Sequence, residues 1–387
     1  MTAKNNLIMK KLGLYIHIPF CIKKCNYCDF YSVGCAEPET VKRYVSALCN
    51  HIEKESSRYK DYEIDTIFVG GGTPSVLEPK QFEKISKTIK KCLHVSEKAE
   101  FSIEANPCSL TKEKLKTYLS CGVNRISIGL QSTDNASLKT LGRLHNFDEF
   151  KLKYTLAKEV GFENINIDIM YATPEQTLAN IDKTLDGLSE FAPKHISAYC
   201  LKIEPGTPFY NAKLNLPNED TQYEMYMLLC KKLKEMGYSH YEISNFAKEG
   251  YECRHNLKYW QREEYVGFGP AAHSFFDGVR YSYESNLQKY ITHIEKGILP
   301  EKILEEIAEN GTTGAQDEYI MLKMRLSKGI SDEDFYNLFA KRLNEYSPEI
   351  NKYIKSGHVL YENGIYRFSD EGFFVSNFIL SEILKFN

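Results

Sequence analysis

The stretch LGLYIHIPFCIKKCNYCDF, residues 12–30, decides how this chain reads. It opens as a β-branched apolar run, the pattern of a strand buried on both faces. It ends in a loop that gathers Cys21, Cys25 and Cys28 directly beyond that strand. Further runs of the same kind follow the first strand, LGLYIHI (12–18): DTIFVGG (65–71), EFSIEAN (100–106), RISIGLQ (125–131), NINIDIMY (164–171) and HISAYCL (195–201). Between them, stretches such as residues 41–59, 79–93 and 178–191 repeat apolar residues at helical spacing. Six βα units in a row predict a parallel sheet that curls toward a barrel, because each right-handed crossover lays its helix on the outer face. The expected fold is therefore α/β, an incomplete (βα)6 TIM-like barrel over residues 1–240. A connecting segment, 241–300, is expected to lie as a loop over the barrel mouth. Residues 301–387 read as a small, mainly helical domain with a β-hairpin wing around ENG (362–364).

In such barrels chemistry sits at the C-terminal ends of the strands. That face collects the cysteines, GGGTPS (70–75), Glu104, Asn106, Gln131 and Asp168.

Composition narrows the classes. The 387 residues are 42% hydrophobic and 26% charged, enough to bury a full core, and a net charge of -3 leaves no broad footprint for nucleic acid. No apolar run reaches the ~20 residues of a spanning helix, which leaves room only for transient association with a membrane surface. MTAKNNLIMKKLG lacks the features of a signal peptide, so the expected location is cytoplasmic. Eleven cysteines, an odd number, favour reduced thiols and metal ligation over a disulfide framework.

The C-x3-C-x2-C spacing places three thiolates on one tight loop. They can hold three corners of an iron-sulfur cubane and leave the fourth iron open to an exogenous ligand. The alternative is three buried or zinc-bound cysteines. A glycine run at a strand end lets a ligand approach the backbone, or simply makes a turn. Glu104 and Asp168 lie on strands of apolar neighbours, where a carboxylate needs a partner such as a ribose hydroxyl or an amino group, unless each is satisfied within the protein. In HNLKYW (255–260), His255 could ligate a heme iron and Trp260 could stack on the macrocycle, or both could anchor a loop.

Together, Y-x-H-I-P-F-C-x3-C-x-Y-C-D-F and GGGTPS resemble the radical S-adenosylmethionine superfamily, in the branch of oxygen-independent coproporphyrinogen oxidases and their heme-chaperone relatives. The resemblance implies a [4Fe-4S] cluster on Cys21, Cys25 and Cys28, with S-adenosylmethionine on its open iron. Tyr15, Gly71 and Glu104 would contact that molecule. Gly72, Thr73, Gln131, Arg143 and Asp168 would contact a second one, while Arg143 in LGRLHN also reads as a solvated surface residue.

Two departures separate the chain from the oxidases: Phe30 stands where they carry a further cysteine, and fewer residues precede Cys21. HNLKYW matches the H-N-x-x-Y-W of the chaperones. This implies heme held through His255 and Trp260, with Cys253 a second possible ligand and His273 in reserve. Heme would pass to an acceptor protein without net porphyrin conversion, and an electron donor is needed if the cluster is reduced. Two enzymatic alternatives stay open, decarboxylation of coproporphyrinogen III and radical degradation of heme.

Overall fold

The computed structural model describes residues 9–305 and 313–385. The apolar runs form β1 (Lys10–Ile18), β2 (Tyr62–Gly71), β3 (Val95–Ala105), β4 (Arg125–Gln131), β5 (Asn164–Tyr171) and β6 (His195–Cys200). They pair in parallel and in sequence order. Their alternating outward residues, Ile67, Val69, Ile103, Ile126, Ile128, Ile165, Ile167 and Ile196 among them, are fully buried beneath helices. The six strands thus have one apolar face and one inner, more polar face. Inside the curl, Tyr199 of β6 and Glu104 of β3 lie close enough to feel each other's charge although two strands separate theirs.

Local chemistry sets the crossover ends. The helix Phe147–Val160 starts on a capping box between Asn146 and Glu149, and ends at Gly161, whose φ of 117° favours glycine.

The sheet extends beyond the six strands. β7 (Ser239–Glu242) and β8 (Asn245–Ala247) add antiparallel strands beside β6. At the other edge, β9 (Tyr265–Phe268) pairs in parallel with β1, and β10 (His273–Phe276), β11 (Val279–Tyr283) and β12 (Lys302–Leu304) continue antiparallel. The division expected at residue 240 therefore does not separate two bodies, because the segment 241–300 supplies strands to both edges of one 12-stranded sheet.

Nor does the HNLKYW helix of that segment cover the mouth, although the turn at Gly269 abuts His17 there. This helix, Arg254–Gln261, enters at the opposite end, against Asp65, Thr66 and Glu100 in the lower halves of β2 and β3. The C-terminal region is mainly helical and carries the expected hairpin, Val359–Glu362 with Ile365–Phe368. Asn363 and Gly364 turn it with φ of 52° and 77°. Among the described residues no helix is long and apolar enough to cross a membrane.

Candidate functional site

The loop after β1 carries Cys21, Cys25 and Cys28, all free and partly accessible. The Cys28 thiol is pushed up to about 11 by burial, and the neighbouring sulfurs of Cys25 and Cys21 add to the rise. Three thiols thus crowd one loop, where a cation would reverse the cost of ionising them. Two donors reach these sulfurs from other strands. The Thr73 hydroxyl lies 3.4 Å from Cys21 Sγ, and Arg143 Nη1 lies 3.5 Å from Cys25 Sγ.

Arg143 is not a surface residue. It is half-buried, its Nη2 donates to the Gly129 carbonyl at 2.9 Å, and its Nε is buried with no hydrogen-bond partner. An orphaned guanidinium nitrogen beside three thiols is what an anionic ligand would complete.

The glycine run makes room at the same place. Gly71 has φ of 110°, and a Cβ there would stand 2.6 Å from the His17 ring; a Cβ on Gly72 would stand 2.7 Å from the Phe20 carbonyl. Only glycine lets these strands close over the loop. The Gly71 N–H donates to Glu104 Oε2 at 3.2 Å. Burial pushes the Glu104 carboxyl up to about 8, with Asp168 contributing repulsion. Asp168 itself accepts from Ser127 at 2.8 Å and from Asn166 at 2.7 Å. Gln131 ends β4 at φ of 72°, after a register shift against β5. That bulge aims its side chain over Gly129, where a Cβ would meet both Gln131 Nε2 and Arg143 Nη2. Tyr15 completes the rim, its hydroxyl 3.0 Å from His17 Nδ1.

The cysteines, Gly71–Thr73, Glu104, Gln131, Arg143 and Asp168 therefore meet at one end of the barrel. These residues fit a thiolate-held cluster with a polar chelating ligand. They supply three sulfurs, donors to two of them, a glycine cradle and carboxylates waiting for a cationic partner. Two neighbours escaped the sequence reading. His17, inside the Y-x-H-I-P-F run, links Tyr15 to the Tyr31 carbonyl at 2.9 Å, and burial lowers it to about 4. Cys108 lines the cleft that also holds Cys25, Thr73 and Asn106. Its signal was only its position just past β3.

His255 and Trp260 lie elsewhere. His255 is fully buried, with Nδ1 hydrogen-bonded to Thr66 at 2.8 Å and Nε2 to Tyr259 at 2.8 Å. Burial first, then Lys258 and Arg125, lower its pKa to about 3. The expectation that His255 ligates heme meets a closed site here, since both ring nitrogens are engaged in this conformation. Trp260 donates to the buried Glu242 and lies 5.7 Å beneath the Arg325 guanidinium, so its ring joins barrel and C-terminal region. Cys253 is buried against Glu100 at 3.5 Å, and the exposed His273 pairs with Glu305 at 2.7 Å.

A curled parallel sheet with this thiol loop and glycine cradle defines the radical SAM class. The Radical SAM superfamily model matches residues 15–188, and the HemN C-terminal domain model matches residues 317–375. Among curated proteins, the heme chaperone HemW of Buchnera aphidicola is 38% identical over 90% of this chain and 92% of its own. The HemW proteins of Bacillus subtilis and Escherichia coli are 36% and 34% identical, covering 87% and 90% of this chain and 89% and 91% of theirs. The chain belongs to the HemW family. Among solved structures, coproporphyrinogen III oxidase (HemN) from Escherichia coli shares the fold, with a TM-score of 0.84 and 19% identity over 97% of this chain and 91% of that one.

Proposed function

We propose that this protein is a heme chaperone that binds heme and transfers it to an acceptor protein, working in the cytoplasm. The observation that carries the reading is its relation to proteins named heme chaperones over 87–98% of its length, at 32–38% identity. Phe30, in place of a further cysteine, supports the chaperone over the oxidase, and the likeness to the oxidase structure speaks for the fold alone.

In this reading Cys21, Cys25 and Cys28 hold a [4Fe-4S] cluster, which when reduced by an electron donor supplies one-electron chemistry to S-adenosylmethionine. Tyr15, Gly71 and Glu104 bind that cofactor. Gly72, Thr73, Gln131, Arg143 and Asp168 line the room for a second molecule, although Thr73 and Arg143 also reach toward cluster sulfurs. These two thereby tune the thiolates, as donors to metal-bound sulfur do.

His255 and Trp260 take part in heme binding only if the helix Arg254–Gln261 loosens from Thr66 and Glu100 and the His255 ring gives up Tyr259. Heme capture through them would thus be coupled to an opening at the barrel's lower end. Hydrogen exchange over residues 254–261, with and without heme, tests this coupling: unchanged protection in a saturated complex removes His255 as the ligand.

The function itself is tested by anaerobic incubation with heme, and separately with coproporphyrinogen III, in the presence of S-adenosylmethionine and a reductant. Mass analysis should return both tetrapyrroles unchanged, with heme bound. Protoporphyrinogen IX as product would replace the chaperone by the oxidase, and a cleaved heme would replace it by a degrading enzyme.

A further inference from the structure

Far from the thiol loop, three residues converge where the barrel meets the C-terminal region. Cys230 lies on the helix Glu219–Glu235, His240 on β7, and Asp370 opens the helix Asp370–Phe374. Their Sγ, ring nitrogen and carboxylate oxygen all lie within 4.8 Å of one another. We propose that they form a binding site for a divalent cation of borderline softness, zinc above all, which ties the C-terminal region to the barrel.

The donor set is of the kind zinc takes: thiolate, imidazole and carboxylate. His240 Nδ1 and Asp370 Oδ1 stand 3.4 Å apart. That is long for a charge-assisted hydrogen bond, which prefers about 2.7–2.9 Å. It equals the roughly 3.3–3.4 Å edge between two ligands that each stand about 2.0–2.1 Å from a tetrahedral ion. The other ring nitrogen, Nε2, faces the Ile243 carbonyl at 3.4 Å. Ligating histidines are oriented by such an outer carbonyl. The ring is also clamped, stacked on Phe246 at 4.2 Å and against Phe373 at 4.8 Å, so its nitrogens are aimed before any ligand arrives.

A second observation points the same way. Tyr226 is one helical turn before Cys230, is only 4% exposed, and turns toward that thiol its hydroxyl, a further oxygen donor beside the three. With an ion in place it would either approach as a fourth ligand or receive a bound water. The open side is at Asp370, whose side chain is 47% exposed, and this gives the ion its entry path. A nucleophilic Cys-His-Asp arrangement is disfavoured, because Cys230 is only 5% exposed. Binding would replace the thiol proton with the metal, so one proton leaves for each ion bound.

The test must keep this site apart from the cluster. The variant with Cys21, Cys25 and Cys28 all changed to alanine, loaded with Zn2+ and dialysed, should retain about one zinc per chain. The same preparation with Cys230→Ser, or with His240→Phe, which keeps the ring stack, should retain none. Loaded with Co2+, the triple variant should show a thiolate-to-cobalt charge-transfer band that Cys230→Ser removes. Asp370→Asn sits at the surface and should not affect folding, so it decides the matter if the buried variants fail to fold: zinc affinity should fall at least tenfold. The proposal is overturned if the triple variant retains no zinc, or if zinc binding is the same in Asp370→Asn and unaffected by His240→Phe.

Discussion

The two ends of the barrel are built by opposite rules. At the upper end, glycines replace side chains, Arg143 leaves a buried nitrogen without a partner, and Glu104 is held in its neutral form by burial and by Asp168. At the lower end most strong groups are paired, although the buried Arg125 Nε has no hydrogen-bond partner. The Glu100 carboxylate accepts the Arg254 and His255 N–H groups at 2.9 and 3.1 Å, capping the N-terminus of the helix Arg254–Gln261. Lys258, 3% exposed, pairs with Asp65 at 3.0 Å and Glu263 at 2.8 Å. His195 bridges Asn166 at 2.6 Å and Tyr241 at 2.8 Å. Free thiols, a glycine cradle and a carboxyl held neutral mark the end that awaits a ligand, whereas buried ion pairs and bridged side chains mark the end that holds the fold.

Breaking that contrast from the upper end gives the largest effect. Removing Cys21, Cys25 and Cys28 together should take iron from about four per chain to none. Thermal stability of the cluster-free form should change by less than about 1 kcal/mol, because all three side chains are partly accessible. Colorimetric iron and sulfide analysis beside a melting curve checks both.

At the lower end the signs reverse. Lys258→Met should lower stability by about 3 kcal/mol, because it removes the nearer cation of the buried Asp65 and leaves it only Arg254 at 3.6 Å. His255→Ala should cost about 2–4 kcal/mol through a cavity and the lost partners of Thr66 and Tyr259. Urea unfolding measures each, and cluster loading of the folded fraction should match the wild type.

The pH dependence sharpens the same picture. His17, His51, His145, His195 and His255 are buried, and desolvation lowers all five below the ordinary histidine value, to about 4 for His17 and about 3 for His51, His145 and His255. A depressed histidine contributes stability that is present above its unfolded value of about 6.5 and is lost as pH falls toward the folded value. Stability should therefore fall steeply below pH ~6.5, with slopes of more than one proton. Glu104 has the opposite sign. Its raised carboxyl, about 8, costs the fold nothing at low pH and progressively more as pH rises above the unfolded carboxylate value. Glu104→Gln should thus stabilise the cluster-free protein slightly at pH 8 and not at pH 4, the smallest of these effects, read by paired melts.

How much of this was legible followed from length and period. The six parallel strands announced themselves as β-branched runs, and the rule that chemistry sits at strand ends gathers Cys21 through Asp168 from the sequence alone. The segment after residue 240 was not legible. YVGF and HSFF are too short to stand out, although they pair as β9 and β10, and an eight-residue helix full of polar and aromatic residues looks like a loop. Nothing local says whether such a helix covers the top or plugs the base, because that depends on Glu100 and Asp65, over a hundred positions earlier. The exposure of Arg143 was undecidable for the same reason. Cys230, His240 and Asp370 were invisible as a group, with 130 positions between the last two.

The central claim is that the upper end alone binds the cofactor. The most direct test is the electron paramagnetic resonance spectrum of the reduced cluster, recorded with and without S-adenosylmethionine in wild type, Glu104→Ala and His255→Ala. A chelate at one iron alters the field at that iron, so the wild-type spectrum should change on addition of the cofactor. Glu104→Ala should need more cofactor for the same change, and folded His255→Ala should respond as the wild type does. An unresponsive wild type, or a His255→Ala response lost while that of Glu104→Ala persists, would contradict the account.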